Sequence, residues 1–235
     1  EQDRDCETFP HGAGLAGTAA CACPLTIMQL TIIRHGQSVW NDRRLIQGQQ
    51  DPPLNGAGME QAQQVADALA GSRIGSVHAS DLLRARQTAQ PIAERLGVLL
   101  VLRPEFREIA MGEWEGLTEE QARERDPALH AAWKRDSIAN RPPGGESYLE
   151  LFGRLRTALG ELPGGDTDLV VVTHYTAGRA LIAVALGAPV EAVRWFRLDN
   201  GSLSRLRRTR AGSWQLVALN DVSHLSPGGA PPPYD

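Results

Sequence analysis

The chain has 235 residues, 42% of them hydrophobic and 22% charged, with a formal net charge of -4. This is the range in which one soluble globular domain is the default, and it argues against a general nucleic-acid or membrane-surface role because no run of five or six like charges occurs. The longest apolar stretches, LVVV near residue 170 and ALIAVAL near residue 183, are far shorter than a bilayer crossing needs, so any anion site must be assembled locally.

The first 27 residues read as an extension. Cys6, Cys21 and Cys23 all precede Pro24, so the body of the chain uses neither disulfides nor cysteine chemistry. A zinc site from Cys6, His11, Cys21 and Cys23 lacks the usual CxxC pairing, and free thiols in a flexible arm are the preferred reading. GAGLAG, Gly12 to Gly17, matches a dinucleotide fingerprint only in letters: no strand pattern precedes it and no helix pattern follows. Four acids and one base among residues 1 to 8 argue against a secretory signal, and TAAC is a weak lipobox coincidence. The folded domain is expected over 28–222, with disordered segments at 1–27 and 223–235.

From Met28 onward strand-like and helix-like segments alternate, which predicts an α/β fold. The expected architecture is a three-layer α/β/α sandwich with a mostly parallel central sheet and an irregular, partly helical lid over the carboxyl ends of the strands. The first strand is placed at about 29–34, followed by a turn-rich loop ending in DPPLNGAG. Asn55 caps a helix over about 56–70, whose Met59, Ala62, Val65, Ala66 and Leu69 recur at helical spacing. GSVHAS supplies a strand at 75–79, and Ser80 or Asp81 caps a helix that stops at Gly97 and is kinked by Pro91. A strand at 98–102 precedes the least regular segment, about 110–145, which holds a short helix near 118–125 and reads as an excursion over one end of the sheet. A helix at about 146–161, a strand at 168–173, a helix at about 176–187 and a closing pair of strands complete the pattern.

Two strand runs, LTIIRHG and DLVVVTH, end in histidines. In an open parallel sheet ligands bind outside the carboxyl ends of strands, so His35 and His174 can face one crevice. Each alone reads more readily as a structural histidine hydrogen-bonded to a neighbouring carbonyl. Arg34 precedes the first, and Arg84 lies just inside the helix after the second strand, where an isolated arginine reads as a surface charge. Two arginines and two histidines at strand ends make a cationic pocket suited to a phosphoryl group, and Gly36 lets a ligand approach the backbone.

The ordered set RHGQSVWN, QGQQDPPLNGAG, SDLLRARQTA, FREIAMGEWEGL, PPGGES and VVVTHYTAGRAL, spread over about residues 29 to 208, resembles the motif series of the histidine phosphatase superfamily, the phosphoglycerate mutase-like enzymes. The resemblance implies His35 as a nucleophile that forms a phosphohistidine, with Arg34, Arg84 and His174 binding the transferring phosphoryl oxygens. It places Asn41, Gln47 and Gly48 at polar or loop positions of the phosphate pocket, and Glu108 at the acid position. An alkoxide leaving group needs a proton and the attacking water needs a base, roles one carboxyl group can fill in turn. The alternative for Glu108 is an ion pair with Arg103 or Arg107. Neither a cofactor nor a metal is expected, since the chain has no HExxH, no CxxC and no tight cluster at metal-ligand spacing.

One position departs from the family, which usually has glycine after the second histidine where this chain has Tyr175. That side chain can narrow the pocket or contribute a hydroxyl. The stretch AMGEWEGLTEEQ resembles the phosphatase branch, and GEWEG with PPGGES resembles the loops of α-ribazole phosphatases. The reading is a metal-independent phosphomonoesterase for small phosphorylated metabolites, located in the cytoplasm, with no nucleic-acid or membrane partner and with a homodimer as one option for its assembly. A phosphoglycerate mutase is the alternative enzyme, and a catalytically silent regulatory module the alternative outside enzymes. Trp114, Trp133 and Tyr148 are candidates to line the leaving-group side, with plain packing as the other reading of Trp133.

Overall fold

The structure, a computed structural model, describes residues 28–165 and 167–226. The expectations for residues 1–27, among them all three cysteines, and for 227–235 lie outside the described residues. Six strands form one sheet in the order β3-β2-β4-β1-β5-β6, where β1 is Gln29–Arg34, β2 Ile74–Ala79, β3 Leu99–Leu102, β4 Asp168–Thr173, β5 Leu203–Arg208 and β6 Trp214–Asp221. The first four in that order run parallel, and β5 and β6 close the edge antiparallel.

Both faces of the central strands are covered, which is why β1 and β4 read as continuous apolar runs instead of alternating. Leu30, Ile32, Leu169 and Val171 point into one core with α6 (Tyr148–Gly160) and α7 (Tyr175–Ala185). Ile33, Val170 and Val172 point into the other, with α2 (Gly56–Ala68) and α3 (Leu83–Leu96). This is the expected α/β/α sandwich. The register matters for function: Arg34 pairs with Thr173 across adjacent β1 and β4, so the chain leaves both strands side by side at His35 and His174.

Local differences from the sequence expectations have identifiable causes. The loop after β1 contains a short helix, α1 (Val39–Asp42), closed by a reciprocal Ser38–Asn41 capping box. α3 is capped at Leu82 without a side-chain bond from Ser80 or Asp81 to a following helical turn; instead the Leu83 N–H donates to Asp51, 32 residues upstream. Asp81 is taken by Arg107 and Ser80 by His174. Pro91 does not interrupt α3, which runs on to a left-handed Gly97. The excursion over 110–145 holds two helices where one was expected, α4 (Glu119–Arg125) and α5 (Pro127–Arg135), the second started by an Asp126 cap with Pro127 in its first turn. The start of the expected tail is docked: His224 Nε2 donates to the Gly201 carbonyl at 3.1 Å and Gln64 to Ser226 Oγ at 2.8 Å. Among the described residues no helix is long and apolar enough to cross a membrane.

Candidate active site

The two strand-end histidines meet. Their rings stand 5.0 Å apart between centroids at an interplanar angle of 61°, and both side chains are buried. The backbone at His35 is fixed on both sides, its N–H donating to the Thr173 carbonyl at 2.9 Å and its carbonyl accepting from Asn200 Nδ2 at 2.9 Å. The Gly36 N–H donates to Thr88 Oγ at 3.0 Å, and Thr88 in turn donates to the Arg84 carbonyl at 2.8 Å, so the turn after β1 is tied to α3. A Cβ at Gly36 would lie 2.5 Å from the Gly58 carbonyl oxygen, which is why no larger residue fits between this turn and the start of α2.

His35 Nδ1 lies 2.7 Å from the Gly36 carbonyl oxygen. A carbonyl only accepts, so Nδ1 carries the proton and, in the neutral ring, Nε2 presents a lone pair. Burial, with the charges of Arg84 and Arg34 behind it, holds His35 well below the ordinary histidine range, against a smaller opposite effect of the Gly36 carbonyl. His174 is lowered by burial and then by Arg84, His35, Arg154 and Arg34. Its Nε2 is 2.9 Å from Ser80 Oγ, and its buried Nδ1 has no hydrogen-bond partner in the protein.

Both phosphate-binding candidates among the arginines are buried, Arg84 at 0% exposure, which disposes of a surface-charge reading. Arg34 Nη1 donates to the Leu198 carbonyl at 2.7 Å. Arg84 donates from Nη1 to the Gln50 carbonyl at 2.7 Å and from Nη2 to the Gly48 carbonyl at 2.8 Å, while its buried Nε lacks a partner. Burial lowers Arg84 to about 10, with Glu108 and Asp51 acting in the opposite sense. Gly48 thus holds Arg84 by its carbonyl, and its left-handed backbone (φ 48°) presses against Glu115, where a Cβ would lie 2.0 Å from Oε1. Ser38 Oγ connects the two polar candidates, at 3.0 Å from Asn41 Oδ1 and 2.8 Å from Gln47 Oε1.

Glu108 makes none of the ion pairs open to it in sequence. Arg103 pairs with Glu105 and Glu161, and Arg107 pairs with Asp81. The Glu108 carboxylate instead sits on the first turn of α7, Oε1 accepting from the Ala177 N–H at 2.9 Å and Oε2 from the Thr176 N–H at 3.0 Å; Oε1 also accepts from its neighbour Ile109 at 3.0 Å. His174 and the Glu108 carboxylate therefore meet at one helix start. Arg154, unmarked by the sequence reading, fixes the segment bearing Glu108 by donating to the Glu105 and Glu108 carbonyls at 2.7 and 3.0 Å, its own charge met by Glu146 at 2.8 Å.

Tyr175 is the first residue of α7, with the Arg34 guanidinium 4.9 Å from its ring centroid. Trp114 is 1% exposed and packs edge-on against Trp133, 5.5 Å between centroids, so it belongs to the lid's core and not to a leaving-group wall. Ser80, Thr88 and Asn200 are supporting residues that sequence reasoning missed. Asn200 sits in the turn DNGS before β5, and no spacing rule connects that turn to His35.

A family model described as "Histidine phosphatase superfamily (branch 1)" matches residues 30–222. The chain belongs to that superfamily. Among curated relatives, a protein of Escherichia fergusonii named "Probable phosphoglycerate mutase GpmB" is 38% identical over 215 residues, an alignment spanning 85% of this chain and 95% of the relative. Among solved structures, a mycobacterial glucosyl-3-phosphoglycerate phosphatase complexed with VO3 superposes with a TM-score of 0.75 at 31% identity, covering 82% of this chain and 99% of that one. The α-ribazole phosphatase of Shigella flexneri gives a TM-score of 0.76 at 28% identity over 83% of this chain and 96% of that one. As a histidine phosphatase superfamily member the chain has the expected fold, and its structural neighbours include enzymes titled as phosphatases while its sequence relatives carry a mutase name.

Proposed function

We propose that this protein is a metal-independent phosphomonoesterase that hydrolyses small phosphorylated metabolites through a phosphohistidine at His35, without a cofactor, in the cytoplasm. The observation that carries the reading is the His35 tautomer: with Nδ1 committed to the Gly36 carbonyl, Nε2 is the free nucleophilic atom, in a ring that burial and two arginines keep neutral. In the first step the Nε2 lone pair forms the bond to phosphorus, the ester P–O bond breaks, and the departing alkoxide takes a proton from Glu108. Arg34 and Arg84 neutralise charge on the phosphoryl oxygens and the neutral His174 ring offers them a hydrogen bond from Nδ1, with Asn41, Gln47, Gly48 and Tyr175 completing the pocket wall. In the second step water attacks phosphorus, Glu108 takes its proton, the N–P bond breaks and Nε2 regains its lone pair as inorganic phosphate leaves. The Gly36 carbonyl favours the phosphorylated ring by accepting from its remaining N–H.

The mutase reading has support in the name of the sequence relatives. It differs in the fate of the phosphohistidine, which must reach a second hydroxyl before water does. The experiment is a phosphomonoester screen in excess EDTA with wild type, His35→Ala and Glu108→Ala, run beside a mutase assay primed with bisphosphoglycerate. Phosphate release resistant to EDTA and abolished in His35→Ala is the expected result. Isomerisation of phosphoglycerate outpacing phosphate release overturns the phosphatase assignment, and the absence of both an acid-labile label and turnover overturns the enzyme reading.

A further inference from the structure

The segment GEWEG carries two glutamates that meet different fates. Glu113 is exposed and pairs with Arg125 at 2.9 Å. Glu115 is half-buried and among the described residues makes no ion pair, its carboxylate being met by amide donors. Oε1 accepts from the backbone N–H groups of Gln49 and Met111, both at 2.9 Å, and Oε2 accepts from Gln50 Nε2 at 3.1 Å. One carboxylate oxygen thus joins two segments that are distant in sequence.

Both segments serve the site. Gly48 and Gln50, on either side of Gln49, supply the two carbonyls that hold the Arg84 guanidinium. Met111 closes the short stretch that begins at Glu108, and a cross-tie joins the two segments again, Gln49 Nε2 donating to the Glu108 carbonyl at 3.1 Å. Glu115 is itself held, its N–H donating to the Gly112 carbonyl at 3.1 Å while Gly116 and Leu117 bond to the backbone of Ile46 at 2.8 and 2.9 Å. Gly48 has no room for a Cβ beside Oε1, so the carboxylate and the loop are packed together as well as hydrogen-bonded.

A pair of carbonyls orients a guanidinium only if the loop that bears them is fixed, and the Gln49 N–H lies between the two. Its bond to a carboxylate is charge-assisted and stronger than one between neutral groups. The charge of Glu115 also opposes the lowering of Arg84 by burial, less than Glu108 and Asp51 do. That charge by itself weakens the pull of Arg84 on an anion, so removing it would tighten phosphate binding, whereas removing the hydrogen-bond acceptor would loosen it. Charge and geometry predict opposite signs.

We infer that Glu115 is a positioning residue whose carboxylate clamps the turn 47–50 to the segment 108–111, so that the Arg84 guanidinium and the Glu108 carboxyl keep one fixed relation to the same phosphoryl group. The Arg84 half of the clamp holds whatever reaction follows, while the Glu108 half rests on the phosphomonoester reading above.

Three replacements test it. Glu115→Met keeps the length and removes both charge and acceptor; Glu115→Gln removes the charge and keeps an oxygen for Gln49 and Met111; Glu115→Asp keeps the charge and draws the oxygens back by one methylene. Affinity for inorganic phosphate, read by calorimetry, is expected to fall by about tenfold in Glu115→Met, to fall in Glu115→Asp, and to stay within about threefold of the parent in Glu115→Gln. In Glu115→Met, kcat/KM for glycerol 3-phosphate should fall further than for p-nitrophenyl phosphate, because only the alkoxide needs the proton of Glu108. Equal behaviour of Glu115→Met and Glu115→Gln overturns the inference, since charge would then be all that Glu115 contributes. Fewer sites at an unchanged dissociation constant, in Glu115→Met and Glu115→Asp alike, overturns it too, because that is the mark of a merely structural residue. Where Glu115→Met does not fold, Glu115→Asp against Glu115→Gln decides by the same criteria. A parent that turns over no phosphomonoester, with the phosphate affinities in the expected order, refutes the phosphatase reading and supports the clamp on Arg84; a parent that binds no phosphate overturns both.

Discussion

Replacing Glu108 with glutamine separates the two proton transfers assigned to it. The carboxylate accepts three backbone N–H bonds, from Ile109 and Ala177 at Oε1 and from Thr176 at Oε2. A glutamine that keeps its oxygen toward Ile109 and Ala177 turns an NH₂ group toward the Thr176 N–H, so one charge-assisted bond is lost and two donors face each other. The expected cost is about 1 to 3 kcal/mol of stability, small enough for the variant to fold. The kinetic effect depends on the leaving group. An aliphatic alkoxide cannot depart without a proton, so turnover of glycerol 3-phosphate should fall by roughly 10² to 10⁴. p-Nitrophenolate leaves unprotonated, so phosphorylation of His35 by p-nitrophenyl phosphate should survive while hydrolysis of the phosphohistidine, which needs the base, slows. Stopped-flow absorbance should then show a burst of about one p-nitrophenolate per site followed by a slow steady state, with phosphohistidine accumulating in the quenched protein. Equal loss on both substrates, with no burst, would refute Glu108 as the proton carrier.

Other outcomes follow from the same geometry. His35 and His174 are both lowered in the folded protein, so the unfolded chain binds more protons below pH about 6.5. Stability is therefore full above that pH and is lost as the pH falls, by up to about 1.4 kcal/mol per pH unit per histidine, measurable by urea titration. A profile flat from pH 7 to 5 would mean that neither ring is buried neutral. Gly36→Ala places a methyl 2.5 Å from the Gly58 oxygen and should cost about 1 to 3 kcal/mol together with most of the phosphoenzyme formed. Ser80→Ala leaves buried His174 Nε2 without its partner, so a loss of about 1 to 3 kcal/mol and a lower kcat are expected; unchanged kinetics would show that His174 needs no such anchor.

The sheet and the nucleophile pair were legible because each signal is local. β1 and β4 announce themselves as β-branched runs buried on both faces, and each ends at its histidine. Parallel pairing then places those ends together without further information. The short helices α1 and α5 were missed although Ser38, Asn41, Asp126 and Pro127 are recognisable caps: α1 is about one turn among turn residues, and α5, nine residues long, is set off from α4 by Asp126 alone. What sequence could not supply is the long-range polar closure of the site. Asn200 on the His35 carbonyl, Ser80 on His174 and the Glu108 carboxylate on the amides of α7 are pairings between segments with no common periodicity. The same gap explains Trp114: its type and position suit a pocket wall, yet packing against Trp133 and His130 consumes it.

How the arginines are satisfied decides which of them can bind an anion. Arg84 is held by the carbonyls of Gly48 and Gln50, and Arg34 Nη1 donates to that of Leu198; a carbonyl orients a guanidinium without cancelling its charge. Arg154, Arg107 and Arg205 are held by carboxylates, so a phosphate arriving there would have to displace a partner already as good as itself. Neutral acceptors keep the field of the pocket positive even though the whole chain is acidic, and that field, added to burial, keeps His35 and His174 unprotonated. Arg179 likewise lies over a neutral ring, 3.9 Å from the Tyr175 centroid, and among the described residues it makes no ion pair.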